Sequence, residues 1–457
     1  MFIAPIRLAA FVLLAAAFAG PAAAQLPGGL GGAVGDVTSG VGGAVGRVGD
    51  TVEGTSTGVL DRADGAVDTL RERTTRELRA ARETEANLLR RAHPDIIDVD
   101  RNGDIVVRSE VVAVAPSTDA LAAARARGFT ISQTTEESAL GLTIVVLRAP
   151  SGMSTRNAVD ALREIDPAGT YDFNHVYLGA GANEPGAPGA RQSSGGGGSA
   201  SGRIGLIDSG VDASHPALAG LSIRQRGFVG SNAIAGAHGT AVASLLAGDA
   251  PDFHGAAPGA SLSVADVYGG QPNGGGAAAI VAALGWLAEQ RTGVVNVSLV
   301  GPPNRALEAG VRAMVARGFV IVAAVGNDGP SAPPLYPAAY PGVIGVTGVD
   351  ARDRVLPEAG RGGQVDFAAP GSDITAAAPG GGYARVRGTS YAAPIVAGLI
   401  ARNLSAPNPD AAARAEAQLT SSAADLGARG ADQTFGAGVV GRELRNSEQR
   451  VAARNRR

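Results

Sequence analysis

No cysteine occurs in the 457 residues, which excludes disulfides, thiol nucleophiles and cysteine metal centres together. A chain without crosslinks must rely on core size or bound ions. Lysine is absent too: every basic residue is arginine, which reads as codon bias rather than chemistry. Aromatic residues are 4 % of the chain and the formal charge is only −3. With no basic patch interleaved with aromatics, nothing suggests nucleic acid as a partner. No apolar run reaches the roughly 20 residues of a membrane-spanning helix, and runs such as 319–325 have strand length. No membrane span is expected in the mature protein.

What is present points to export and to two folded units. The length exceeds one ordinary domain, and an apolar fraction of 45 % suffices for an α/β core with a smaller companion. Arg7 precedes an apolar run from Leu8 to Ala19, and Ala22-Ala23-Ala24 then offers the small residues a signal peptidase requires. Residues 1–24 thus read as a signal peptide, leading to a periplasmic or extracellular location. An uncleaved anchor is the alternative, for which the run is short.

Residues 25–104 form a leader. Its first part is Gly-rich with valines at 34, 37, 41, 45, 48 and 52 on one helical stripe, readable as a stalk or as a flexible segment. Residues 61–91 are Arg/Glu-rich with spaced leucines and look like a solvated helix. Over 105–178 the pattern is strand (111–115), helix (118–127), strand (129–133), strand (142–147), helix (155–165) and an extended stretch (171–178), the order of a split β-α-β unit with one sheet face under helices.

Residues 179–202 are rich in Gly, Ser, Pro and Ala and read as a flexible linker. Strands and helices then alternate: 203–207, 238–247, 262–267, 277–290, 294–298, 305–317, 320–325 and 343–348. Such alternation calls for a mainly parallel sheet with helices on both faces, an α/β fold of three layers over 203–441. Residues 442–457 read as a charged tail.

Three segments of this last unit each offer one group needed for nucleophilic acyl transfer. Ile204-Gly205-Leu206-Ile207-Asp208 is an apolar strand ending in an acid. His238 opens a helix beside Gly239, and Ser390 stands at a helix N-terminus after Gly388. Alone, Asp208 reads rather as a turn cap, His238 as a satisfied, partly buried histidine, and Ser390 as an N-cap. Together, in the order Asp, His, Ser and with their flanks, they form a constellation.

Ile207-Asp208-Ser209-Gly210, His238-Gly239-Thr240 and Gly388-Thr389-Ser390-Tyr391-Ala392-Ala393-Pro394 resemble the three signature segments of the subtilisin-like serine peptidases, whose Asp-His-Ser chain order is also the one here. Ala323-Ala324-Val325-Gly326-Asn327-Asp328-Gly329-Pro330 is similar to that family's oxyanion-hole motif. The resemblance covers about 203–440. It implies a subtilisin-like fold and an exported serine endopeptidase, in which Ser390 attacks a peptide carbonyl, His238 moves the proton, Asp208 orients the imidazole and Asn327 receives the oxyanion. The small unit at 105–178 stands where the family places its pro-domain, a folding aid that then occupies the cleft. A zymogen matured by a cut within 179–202 is implied, with protein or peptide substrates and its own pro-domain as partners.

The resemblance also suggests cleft residues. Val295-Asn296-Val297-Ser298-Leu299-Val300-Gly301 looks like the strand that pairs with substrate backbone, and Gly274-Gly275-Gly276 is either the opposing edge, with Gly275 at its centre, or a plain turn. Two positions depart from the family: Val300 stands where a glycine is common, and Leu335 where a small residue often floors the primary pocket. A shallow pocket taking small or modest apolar side chains is expected; efficient cleavage after Phe or Arg in a peptide panel would contradict it.

No cofactor is expected. Ala217 stands where many relatives carry a calcium-binding aspartate, so the family's strong calcium site is expected to be missing, with weaker sites left open. Asp98 to Asp104 matches half of a calcium loop, but Ser109 occupies the position of the closing glutamate, which leaves a β-turn. Two other readings stay open: a dedicated processing peptidase with one exported partner, and a binding protein or adhesin on an inactive peptidase fold. The intact set Asp208, His238, Asn327 and Ser390 argues against the second.

Overall fold

The computed structural model describes residues 57–179, 182–183, 202–251 and 253–445. The signal-peptide and Gly/Val-leader readings, and the last part of the charged tail, lie outside the described residues. Helix α1 (Thr57–Ala92) leads through β1 (Ile97–Val99) into β2 (Ile105–Val114), α2 (Thr118–Ala126), β3 (Thr130–Glu137), β4 (Leu142–Arg148), α3 (Thr155–Ile165) and β5 (Thr170–His175). Ser117 and Ser154 start α2 and α3 by accepting the N–H groups of Ala120 and Asn157. The strands pair antiparallel in the order β3-β4-β2-β5, with β1 also on β2. This is the expected split β-α-β order.

Alternation along β2 gives this sheet two dry faces. Val111 and Ala113 pack under Ala124, Val159 and Leu162 of α2 and α3. Val112, with Ile144 and Val146 of β4, points the other way into the core of the C-terminal unit. The small unit is therefore pressed against its neighbour, and its last strand supplies caps there. Asp172 accepts the N–H of Arg305 at 2.9 Å and Asn174 that of Ala278 at 3.1 Å, each at the start of a helix of the larger unit.

That unit is built on seven strands: β8 (Arg203–Asp208), β9 (Ile223–Gly227), β12 (Ser261–Asp266), β13 (Val294–Val297), β15 (Val320–Ala324), β16 (Val343–Val349) and β17 (Phe367–Pro370). Every pair in the order β17-β16-β15-β13-β8-β12-β9 is parallel. Short strands complete the numbering: β6 (Leu178–Gly179), β7 (Ala182–Asn183), the hairpin β10 (Asp249–Ala250) and β11 (Phe253–His254), β14 (Leu299–Val300), and the hairpin β18 (Ile374–Ala378) and β19 (Gly382–Arg387). Helices α4 (Ala237–Ala247), α7 (Thr389–Ala401) and α8 (Pro409–Ser422) cover one face of the sheet. α5 (Ala277–Glu289) and α6 (Arg305–Val315) cover the other. Strand β8 shows why both faces need cover: Ile204 and Leu206 enter one core and Ile207 the other.

Several boundaries differ from the sequence reading. The first sheet begins at Ile97, not at 105, because β1 folds back on β2 through a turn in which Asn102 and Asp104 donate to Asp100 Oδ1. The 61–91 stretch is helical but not solvated all round: Thr74, Thr75, Leu78 and Ala86 are buried. The 179–202 stretch is not all linker, since Gly179 ends β6 and Ala182–Asn183 pairs with β19. The larger unit runs past 441, because Arg442 and Arg445 both bind Asp353.

Candidate active site

A parallel sheet gathers the ends of its strands along one edge, and there the candidate residues meet. Asp208 is the last residue of β8 and is almost fully buried. Ser298 follows β13, and Asn327 lies three residues past β15. His238 sits in the first turn of α4, where Gly239 is required: a Cβ on it would come within 2.4 Å of Ser209 O. Ser390 opens α7 after Gly388, whose φ of 133° excludes a side chain without strain.

His238 Nδ1 lies 2.9 and 2.8 Å from the two carboxylate oxygens of Asp208. Burial disfavours the imidazolium, but the Asp208 carboxylate outweighs it, and the His238 pKa is raised. Tyr391 packs its ring 5.3 Å from the imidazole. Nε2 is buried and has no hydrogen-bond partner among the described residues. Ser390 Oγ donates instead to Ser298 O at 2.9 Å. In this state the Ser390 hydroxyl is held by the strand that lines the cleft.

Asn327 Oδ1 accepts the N–H of Thr389 at 3.2 Å. The Ser390 N–H belongs to the first turn of α7, where no intrahelical acceptor exists. Asn327→Ala should lower kcat by about 10² to 10³ with little change in KM; steady-state kinetics on a small peptide would check it, and an unchanged kcat would remove Asn327 from the reaction.

The cleft is filled by the chain itself. Leu178 and Gly179 pair antiparallel with Val300 and Leu299, while on the other side Val176 bridges Gly276 and the Tyr177 N–H donates to Gly275 O at 2.9 Å. Gly275, Leu299 and Val300 therefore flank one inserted strand. Gly179 stands beside His238: a Cβ there would lie 3.6 Å from its Nε2. Past the site, Ala182 and Asn183 pair with Arg387 and Val386.

Gly301 extends the cleft strand by exchanging backbone bonds with Tyr336. A Cβ on it would enter the ring of Tyr177, whose hydroxyl donates to Pro302 O at 2.7 Å. Leu335 presses on Gly326, where a Cβ would meet it at 2.5 Å. Sequence reading did not find Tyr177 as a cleft residue. It ends an ordinary extended stretch, and only the partner strands, over a hundred residues away, reveal its role. Ala217 is fully buried among apolar neighbours, and its carbonyl accepts the N–H of Asp249 at 2.9 Å.

The comparisons bear on family and fold. The model of the subtilase family, peptidase S8, matches residues 201–438. Subtilisin E of Bacillus subtilis strain 168 is 35 % identical over 236 residues, 49 % of this chain and 61 % of its own length. Subtilisin DY of Bacillus licheniformis is 34 % identical over 234 residues, 49 % of this chain and 84 % of its own. Fervidolysin of Fervidobacterium pennivorans superposes with a TM-score of 0.63 at 20 % identity, covering 76 % of this chain and 62 % of that one, a likeness of fold alone. With the family model spanning residues 201–438 of a 457-residue chain, this protein belongs to the subtilase family.

Proposed function

We propose that the chain is a serine endopeptidase made as a precursor that cuts itself. The observation that carries the reading is the His238–Asp208 pair, set with Ser390 and Asn327 at one sheet edge, with a strand of the same chain lying through it as a substrate would. Ser390 Oγ attacks the carbonyl carbon of the scissile bond and its proton passes to His238 Nε2. Asp208 holds the imidazole with Nδ1 protonated and stabilises the imidazolium. The oxyanion takes hydrogen bonds from Asn327 Nδ2 and the Ser390 N–H. His238 then gives its proton to the leaving amine, an acyl-enzyme forms on Ser390, and water releases it by the same steps reversed. No step calls on a metal, and none is proposed.

The pairing register favours one bond. Gly179 is opposite Leu299 and Leu178 opposite Val300, and the next carbonyl along that strand, of Ser298, receives Ser390 Oγ. Next in the sequence after Gly179 comes Ala180, outside the described residues. Pairing resumes at Ala182, and the Ala180–Gly181 bond falls between the two paired stretches. A small residue at 180 accords with the shallow pocket expected from Leu335, and residues 97–179 take the part of the pro-domain. Export rests on the signal-like residues 1–24; among the described residues no helix is long and apolar enough to cross a membrane. Intact-mass analysis of the purified precursor tests the reading: a C-terminal product beginning at Gly181 is expected, and a chain that stays whole under folding conditions overturns it.

A further inference from the structure

The loop after Asn327 is covered by a part of the chain to which the reaction gives no role. Helix α1 turns Thr74, Thr75, Leu78 and Ala86 inward, each under a tenth exposed, from a stretch otherwise rich in Arg and Glu. Thr75 Oγ1 accepts the N–H of Ser331 at 3.1 Å. The same residue lies against Gly329, where a Cβ would come within 2.6 Å of its Cα. Farther along, Arg82 Nη1 pairs with Asp328 Oδ2 at 2.7 Å, both side chains less than a quarter exposed, and Nη2 reaches Val300 O at 3.4 Å. Ala86 and Leu89 then pack with Val176 and Leu178 of the strand in the cleft. One helix thus touches the Val300 wall of the cleft, the loop beyond it and the strand that fills it.

We propose that the 328–331 loop and Val300 form a second docking surface, separate from the contact with the β-sheet of residues 97–175, and that its partner is helix α1 of this same chain. The inference rests on the self-cutting endopeptidase reading. Breaking the bond after residue 180 leaves residues 176–179 held by their backbone pairs, and α1 lies over them with its own contacts. The cut N-terminal piece stays in place until α1 lets go, because contacts joined in one chain dissociate together. Cutting and activity are therefore two events separated by a delay, and Arg82 sets much of that delay.

The test follows the full precursor and its Arg82→Ala variant with two readouts: the fraction cut, by intact mass, and hydrolysis of an added fluorogenic peptide. The variant should be cut at a rate within about twofold of wild type, since Arg82 touches no reacting group. Its lag before peptide hydrolysis should shorten on the order of tenfold, as loss of a partly buried, hydrogen-bonded charge pair implies. Added salt should shorten the wild-type lag and leave that of the variant nearly unchanged. Normal cutting with an unchanged lag overturns the role of α1. If Arg82→Ala does not fold, Thr75→Val, which removes the acceptor for Ser331 at nearly constant shape, decides it: a shortened lag supports the docking surface and an unchanged lag overturns it. A wild-type precursor that is never cut is instead the failure of the endopeptidase reading, and this proposal falls with it.

Discussion

Ser390→Ala should leave the precursor whole and lower turnover of any peptide by on the order of 10⁶, the size of effect known for the serine of subtilisin itself. The substitution removes one oxygen, and nothing near it can replace that oxygen as a nucleophile. Ser298 Oγ, its closest hydroxyl neighbour in the site, is committed to Ser390 O at 2.9 Å and accepts from Asn296 Nδ2 at 2.8 Å. The fold should survive. Ser390 is fully buried, but its hydroxyl makes one bond, to Ser298 O, so the loss in stability should be about 1 kcal/mol. Two measurements on one preparation separate the cases. Intact mass should show the full chain, a fluorophosphonate probe should fail to label it, and wild type should shorten and take the label. A variant that is still cut would move the nucleophile elsewhere; a variant that is uncut but also unfolded by circular dichroism would say nothing of chemistry, for which Ser390→Cys, nearly isosteric, gives the control.

How far the site could be read from sequence follows from how local each part is. Asp208, His238 and Ser390 each stand in a short segment whose neighbours serve the same purpose. Gly239 lets Ser209 O approach, and Gly388 supplies a φ no other residue adopts without strain. Such residues announce themselves within four or five positions. The parallel sheet was legible for the same reason, because buried strands such as Val320–Ala324 are apolar throughout. α8 went unread, although its Asn408 cap and Pro409 at the first helical position were a local signal.

What could not be read depends on partners far along the chain. Ala182–Asn183 lies in a Gly/Ser/Pro-rich stretch without periodicity, and only β19, some two hundred residues on, makes it a strand. The buried face of α1 is two threonines, a leucine and an alanine among arginines and glutamates. Propensity there describes a soluble helix, and the glycine at 329 that admits Thr75 belongs to another segment. Arg82 carries no signal at all, since an arginine on such a helix is ordinary until Asp328 is found beside it.

Asp208→Asn should lower kcat/KM about 10⁴-fold, the loss seen when the acid of such a triad becomes an amide. With the carboxylate present, both of its oxygens face Nδ1, so the proton sits on Nδ1 and Nε2 carries the lone pair that must accept from Ser390. An amide NH2 in that place donates to Nδ1 and drives the proton to Nε2, where it blocks the transfer. The charge effect has its own signature. The Asp208 carboxylate raises the His238 pKa against the opposing effect of burial, so activity, which needs neutral His238, should rise with pH along a limb centred above the ordinary histidine value near 6.5. In the variant burial acts without that opposition, and the limb of the residual activity should move to lower pH. Stability runs the other way. A raised histidine pKa contributes stability that is fully present below the unfolded pKa and is lost as pH rises through the folded one. The ion-paired form that steadies the fold in acid is thus the form that cannot accept a proton, and Asp208→Asn should move the activity limb to lower pH and remove the stability gained in acid. A pH profile of kcat/KM and a set of urea midpoints across the same range would show it. An acid limb that stays where wild type has it would mean that Asp208 positions the imidazole without setting its charge.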